Sequence, residues 1–142
     1  MKKKPLILPF NEKRRLHDRA SRAQQKDQSE VCGVMTADRH SRIELHFINN
    51  ASDKAGSFSM SIADMMDTRK KVKKNRNIIG IFHSHVVSEA TPGPRDIQNA
   101  RLSYLQLIYD VCGRNARLWR IKKVNAQKVA IEVPLLVASR KS

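Results

Sequence analysis

Apolar and polar positions change period along this chain, and each change predicts an element. Across residues 11–28 an otherwise polar stretch carries Leu16, Ala20 and Ala23 at helical spacing, which predicts a surface helix with a thin apolar stripe. Val31 to Met35 is short and apolar but interrupted by Gly33, which suits a strand that another backbone approaches closely. From Arg42 to Ile48 the period falls to two: Ile43, Leu45 and Phe47 share one face, with Glu44 and His46 on the other. Ser61 to about Asn75 predicts a helix, with Ile62, Met65, Met66 and Arg69 at helical spacing. Ser61 and Asp64 stand where a helix-start cap needs them.

Ile78 to Phe82 is a nearly continuous apolar run, as in a strand buried on both faces, and it leads directly into His83-Ser84-His85. The loop Thr91-Pro-Gly-Pro94 follows, then a short helix from Asp96 to about Leu102. Strands at about 104–111, 116–124 and 128–133 complete the pattern, with Val129, Ile131 and Val133 alternating in the last. Strands mix with helices without regular βαβ alternation. The expected class is therefore α/β or α+β, a mixed β-sheet flanked by helices.

Length changes this picture little: 142 residues fit one domain over 1–142, with a basic N-terminal extension of about ten residues. An apolar fraction of 40% suits a soluble globular chain rather than a disordered one. Cys32 and Cys112 are too far apart for a Cys-x-x-Cys pair and form no disulfide framework. They read as buried structural thiols in a reducing compartment. No apolar run approaches the roughly 18–20 residues that span a bilayer, and the start has no cleavage site after its two prolines, so a cytoplasmic protein with no membrane partner is expected. The net charge of +15 favours acidic partners, whether a protein face or nucleic acid.

The chemistry is concentrated in one stretch. Side chains two apart on a strand point the same way, so His83 and His85 converge at a strand end. Asp96 returns at a helix start that the Pro-rich loop can aim back toward them. Two imidazoles, one carboxylate and a position left open make a zinc site of the catalytic sort, since a structural site would close that position. Such an ion lowers the pKa of bound water from about 15.7 to about 7, and polarises a carbonyl. A separate carboxylate must then move the proton, and Glu30, ahead of its short strand, is the candidate base.

That spacing resembles the JAMM family, also called MPN-plus or JAB, of zinc metallo-isopeptidases. Glu30-Val-Cys-Gly33 is similar to the family's upstream element, and Ile79-Gly-Ile-Phe-His-Ser-His85 to its His-Ser-His element. Asp96, within Pro92-Gly-Pro-Arg-Asp96, stands at the family's distance from His85. Tyr109-Asp-Val and Ala116-Arg-Leu-Trp-Arg120 look like the strand pair that closes these domains. The resemblance implies a JAB/MPN fold, cytidine-deaminase-like in shape, with Zn2+ on His83, His85 and Asp96 and Glu30 as general base. It implies hydrolysis beside the C-terminal glycine of a ubiquitin-like protein or its conjugate, as deconjugation or maturation. The chain is short, similar to the minimal bacterial deconjugating peptidases of antiphage operons. One departure stands out: the family serine falls at Gly93, and Ser88, Thr91 or the Gly93 N–H could supply the donor instead. Losing one such donor typically costs about 10²–10³ in turnover.

Other features have ordinary readings. Arg69 to Arg76 holds six basic residues, a solvated helix end or a docking patch for an acidic partner. Lys2 to Lys4 reads as a frayed terminus, and His17, His40 and His46 as surface histidines. Met60, Met65 and Met66 suit a core or pliable surface, and Trp119 a core or groove position. Two rivals remain. A nucleic-acid binder rests on charge alone, since 5% aromatic residues offer few stacking platforms. A catalytically weak MPN scaffold would have the fold without needing the ligands.

Overall fold

The structure is a computed structural model describing residues 4–139. In chain order the elements are β1 (Leu6–Leu8), α1 (Phe10–Asp27), β2 (Cys32–Ala37), β3 (Ile43–Ile48), α2 (Ile62–Lys71), β4 (Asn77–His85), α3 (Pro94–Gln98), β5 (Leu105–Asp110), β6 (Asn115–Val124), β7 (Gln127–Val133) and β8 (Leu135–Val137). Six strands form a mixed sheet in the order β3-β2-β4-β5-β6-β7. All its pairings are antiparallel except β4 with β5. A parallel pair requires a crossover, and here the crossover contains α3 and runs over one face of the sheet. The expected mixed sheet flanked by helices is what forms.

The two faces of the sheet differ because side chains alternate. Met35, Leu45, Phe82, Leu107 and Leu118 join Leu16 and Ala20 of α1 in the main core. The residues between them, including Ile81, His83, Gln106 and Trp119, belong to the opposite face. There Ala90, Ile108 and Trp119 form a smaller cluster under the crossover. Trp119 Nε1–H donates to the Ala90 carbonyl at 2.8 Å, tying that loop to the sheet. Ile81 is only half-buried because this second face opens into a cleft, so β4 is not covered on both sides as expected.

Gly33 confirms the close approach its position suggests. A Cβ there would meet the His46 carbonyl and, at 2.6 Å, the Phe82 ring, so only glycine lets β2 lie against both.

Three boundaries differ from expectation. Helix α2 is capped by Ser61, whose Oγ accepts from Asp64 N–H at 3.1 Å, but it ends at Lys71 rather than near Asn75. Three cations, Arg69, Lys70 and Lys71, fill its last turn, where the exposed carbonyls favour positive charge. Helix α3 begins at Pro94, whose ring presets a first helical turn, and it ends at Gln98 instead of running from Asp96 to Leu102. The start of the chain differs most. Leu6–Leu8, bracketed by Pro5 and Pro9, pairs in parallel with Leu135–Val137, and Leu8 is fully buried in the core. Much of the expected ten-residue extension is thus structural; Lys2 and Lys3 lie outside the described residues, and Lys4 is exposed. No helix among the described residues is long and apolar enough to cross a membrane.

Candidate metal centre

His83 and His85 occupy the C-terminal end of β4, on the face away from α1. Their Nε2 atoms lie 3.2 Å apart. Asp96 enters from α3, with Oδ1 3.4 Å from His83 Nε2 and Oδ2 3.2 Å from His85 Nε2. Ligand atoms about 2.0–2.1 Å from a tetrahedral zinc are separated by about 3.3–3.4 Å. The two Nε2 atoms are spaced like an edge of such a tetrahedron, and each lies at a similar distance from one oxygen of the Asp96 carboxylate, so one ligand atom from each residue falls within 4.8 Å of the others. Asp96 also accepts the Gly93 N–H at 2.8 Å, yet that helix-start contact leaves it facing both rings.

The donor set itself favours a cation. His85 Nδ1–H donates to the Glu89 carbonyl at 2.6 Å, so when the ring is neutral its proton sits there and Nε2 is the atom left to ligate beside Asp96. His83 is fully buried and its Nδ1 has no partner, and burial pushes its imidazole below the ordinary range, toward the neutral, ligating form. Burial acts to lower His85 as well, but Asp96 and the Glu89 carbonyl raise it overall. For Asp96, burial would raise the carboxyl, but the two imidazoles and the Gly93 N–H hold it well below the usual carboxylate range. Phe58 stacks on the His83 ring at 4.4 Å and shields one side of it.

Glu30 is delivered by strand register. Cys32 pairs with His83 in the antiparallel β2–β4 ladder. One step beyond, Val31 N–H donates to Ser84 Oγ at 2.9 Å and Ser84 N–H donates to the Val31 carbonyl at 3.0 Å. The next residue, Glu30, therefore comes opposite His85 and on the same face. Ser84 does the positioning and is itself buried. Burial lifts the Glu30 carboxyl from 4.5 to about 7, with His85 lowering it and Asp96 raising it further. A carboxyl poised there is suited to exchanging protons near neutrality. Asn50 holds the preceding backbone, its Nδ2 donating to the Glu30 carbonyl at 2.9 Å and to the Ser57 carbonyl at 3.0 Å.

A cleft of about 310 Å³ runs beside this group, lined by Glu30, Phe58, Ile81, Arg95, Asp96 and Gln106 among others. Neither Ser88 nor Thr91 is among its lining residues; both are exposed, and Thr91 Oγ1 accepts from Arg117 at 3.3 Å. The Gly93 N–H is committed to Asp96, so it is not free to act as a substitute donor. Sequence reading missed Phe58, Asn50 and Gln106. All three act through partners remote in the chain, and no local pattern marks them.

The remaining histidines and thiols have structural partners. His17 Nδ1 lies 2.6 Å from the Tyr109 hydroxyl, and His46 Nε2 lies 2.9 Å from Thr36 Oγ1. Both are half-buried rather than plain surface groups. Both cysteines are free, but Cys112 is exposed, unlike the two buried thiols expected. Burial, with Glu30 nearby, pushes the Cys32 thiol up to about 12, so it is no competing ligand near neutral pH.

Comparison with known proteins adds a consistent set of relatives. The profile of a family described as prokaryotic homologs of the JAB domain matches residues 13–122. A desampylase of Pyrococcus furiosus is 25% identical over 108 residues, 72% of this chain and 76% of that protein. The solution structure of a Desulfitobacterium hafniense protein superposes with a TM-score of 0.72 at 19% identity, over 95% of this chain and 94% of that one. A JAB1/MPN domain protein of Archaeoglobus fulgidus has a TM-score of 0.58 at 13% identity, covering 96% of this chain and all (100%) of that one. A structure described as a metalloprotease-like JAMM zinc site in the proteasome and signalosome has a TM-score of 0.55 at 11% identity, with 96% and 100% covered.

Proposed function

The chain belongs to the family of prokaryotic homologs of the JAB domain, and from that premise we propose that it is a zinc-dependent peptidase or isopeptidase acting beside the C-terminus of a ubiquitin-like protein. The single observation that carries this reading is the convergence of His83 Nε2, His85 Nε2 and the Asp96 carboxylate within 4.8 Å of one another, with Glu30 brought opposite His85. The name of the Pyrococcus relative supports the substrate class.

In this reading His83, His85 and Asp96 hold the ion. When bound, zinc supplies Lewis acidity to the scissile carbonyl and to the attacking water. Glu30 takes the proton of that water as its oxygen bonds to the carbonyl carbon. As the C–N bond breaks, Glu30 passes the proton to the departing amine, so the carboxylate is regenerated. Phe58 stacks on the buried His83 ring and limits water around it. Gly93 replaces the family hydroxyl without a substitute from Ser88 or Thr91, which points to modest turnover. The free thiols suit a reducing compartment, and we place the protein in the cytoplasm.

The test joins metal analysis to a cleavage assay on ubiquitin-like fusions. Glu30→Gln should retain about one zinc per chain and stop cleavage, whereas His83→Ala should lose the metal. Retained turnover in Glu30→Gln removes the base assignment. Metal-free protein that binds DNA with a steep salt dependence supports the nucleic-acid reading instead.

A further inference from the structure

Gln106 is 3% exposed, and its Oε1 has no hydrogen-bond partner. Its Nε2 donates to the main-chain carbonyl of Asp96 at 3.2 Å. That bond decides which way the carboxamide lies, since exchanging its oxygen and nitrogen would set two acceptors against each other. A buried acceptor without a donor is costly, and such an atom at the wall of a cleft marks a place for a donor from outside the chain.

The placement of Gln106 follows from the sheet. It pairs with Ile81 across β4 and β5, and both line the cleft that contains Glu30 and Asp96. Arg95 and Asn99, one turn apart at α3, line the same cleft. Arg95 makes no ion pair among the described residues. Asp96 cannot serve it, because its oxygens are engaged by the Gly93 N–H and face the two imidazoles. The cleft thus offers one buried acceptor, one amide and one uncommitted guanidinium beside the candidate metal group.

We propose that Gln106, Asn99 and Arg95 form a substrate subsite for an extended peptide segment bearing an acidic side chain, with Gln106 Oε1 accepting a main-chain N–H and Arg95 meeting the carboxylate. The assignment rests on the peptidase reading only in placing this segment beside the scissile bond. A lysine or arginine at the same point would face Arg95 directly, inside a chain whose net charge of +15 already repels basic partners. The subsite therefore selects the tail by charge, and Gln106 sets its height in the cleft.

The test reads binding rather than cleavage. Fluorescein-labelled alanine-based peptides, identical except for Glu, Ala or Lys at one scanned position, are titrated into the full chain carrying Glu30→Gln, with fluorescence anisotropy as the signal. The Glu peptide should bind about tenfold more tightly than the Lys peptide at its best position, with Ala between them. Arg95→Glu, a change at an exposed position, should reverse that order. Gln106→Leu should weaken all three peptides about fivefold without altering the order. Equal affinities, no binding, or an order indifferent to Arg95→Glu overturns the proposal. The predicted order without cleavage by the unmutated chain keeps the subsite and removes the peptidase reading. Cleavage without any charge preference does the reverse.

Discussion

The Nδ1–H of His85 donates to the main-chain carbonyl of Glu89 at 2.6 Å, and this one bond orients the ring that faces Asp96. A carbonyl can only accept, so Nδ1 carries a proton, and the neutral form of the ring keeps its lone pair on Nε2 for the site. His83 receives no comparable partner; the walls of the pocket and the stacked Phe58 hold its ring instead. The expected outcome in zinc-loaded protein is a protonated Nδ1 and an unprotonated Nε2 on His85, read from long-range ¹⁵N–¹H correlations. The opposite tautomer would remove Nε2 as a ligand.

Glu30 should cost stability in the metal-free protein. Burial, with Asp96 adding to it, raises its carboxyl from 4.5 to about 7, so the fold favours the protonated form. The favourable contribution is complete below pH 4.5 and is lost as pH rises through about 7. Glu30→Gln should accordingly stabilise chelator-treated protein by about 1–3 kcal/mol at pH 8, and by almost nothing at pH 4. Urea unfolding at the two pH values measures the difference. An equal gain at both would assign the effect to packing.

Gly93→Ser restores the family hydroxyl at a backbone position that accepts it. The φ angle there is −78°, and an added Cβ would meet only Asp96 Oδ2, at an ordinary 3.6 Å. Stability should change by less than about 0.5 kcal/mol, while kcat on a cleaved fusion should rise about tenfold or more. An unchanged kcat would mean that another donor already serves the loop.

Gly33→Ala tests how the strand register delivers the base. The new methyl would strike the His46 carbonyl and the Phe82 ring, forcing β2 away from its neighbours. A loss of about 3 kcal/mol is expected by thermal or urea unfolding. Cleavage should fall further than the folded fraction does, because Glu30 reaches His85 only through the β2–β4 pairing. Activity that tracks the folded fraction would separate the base from that register.

Much was legible in the sequence because it depends on neighbours along the chain. The period of two puts His83 and His85 on one face, Ser61 caps α2, and Gly33 marks a close approach. Asp96 was legible from motif spacing, although Pro94 starts its helix two residues earlier than expected. What the sequence left undecided involves residues far apart in the chain. Pairing of Leu6–Leu8 with Leu135–Val137 turns an apparent extension into core, and no local period announces a three-residue strand between prolines. Likewise, only the β2–β4 register brings Glu30 opposite His85, and only the crossover between β4 and β5 returns Asp96 to the imidazoles. The Gln106 carboxamide acquires its vacant acceptor in the same way, through a bond to the Asp96 backbone. Local pattern determined which face each side chain takes; chain closure decided which faces meet, because pairing energy is realised only when distant segments come together.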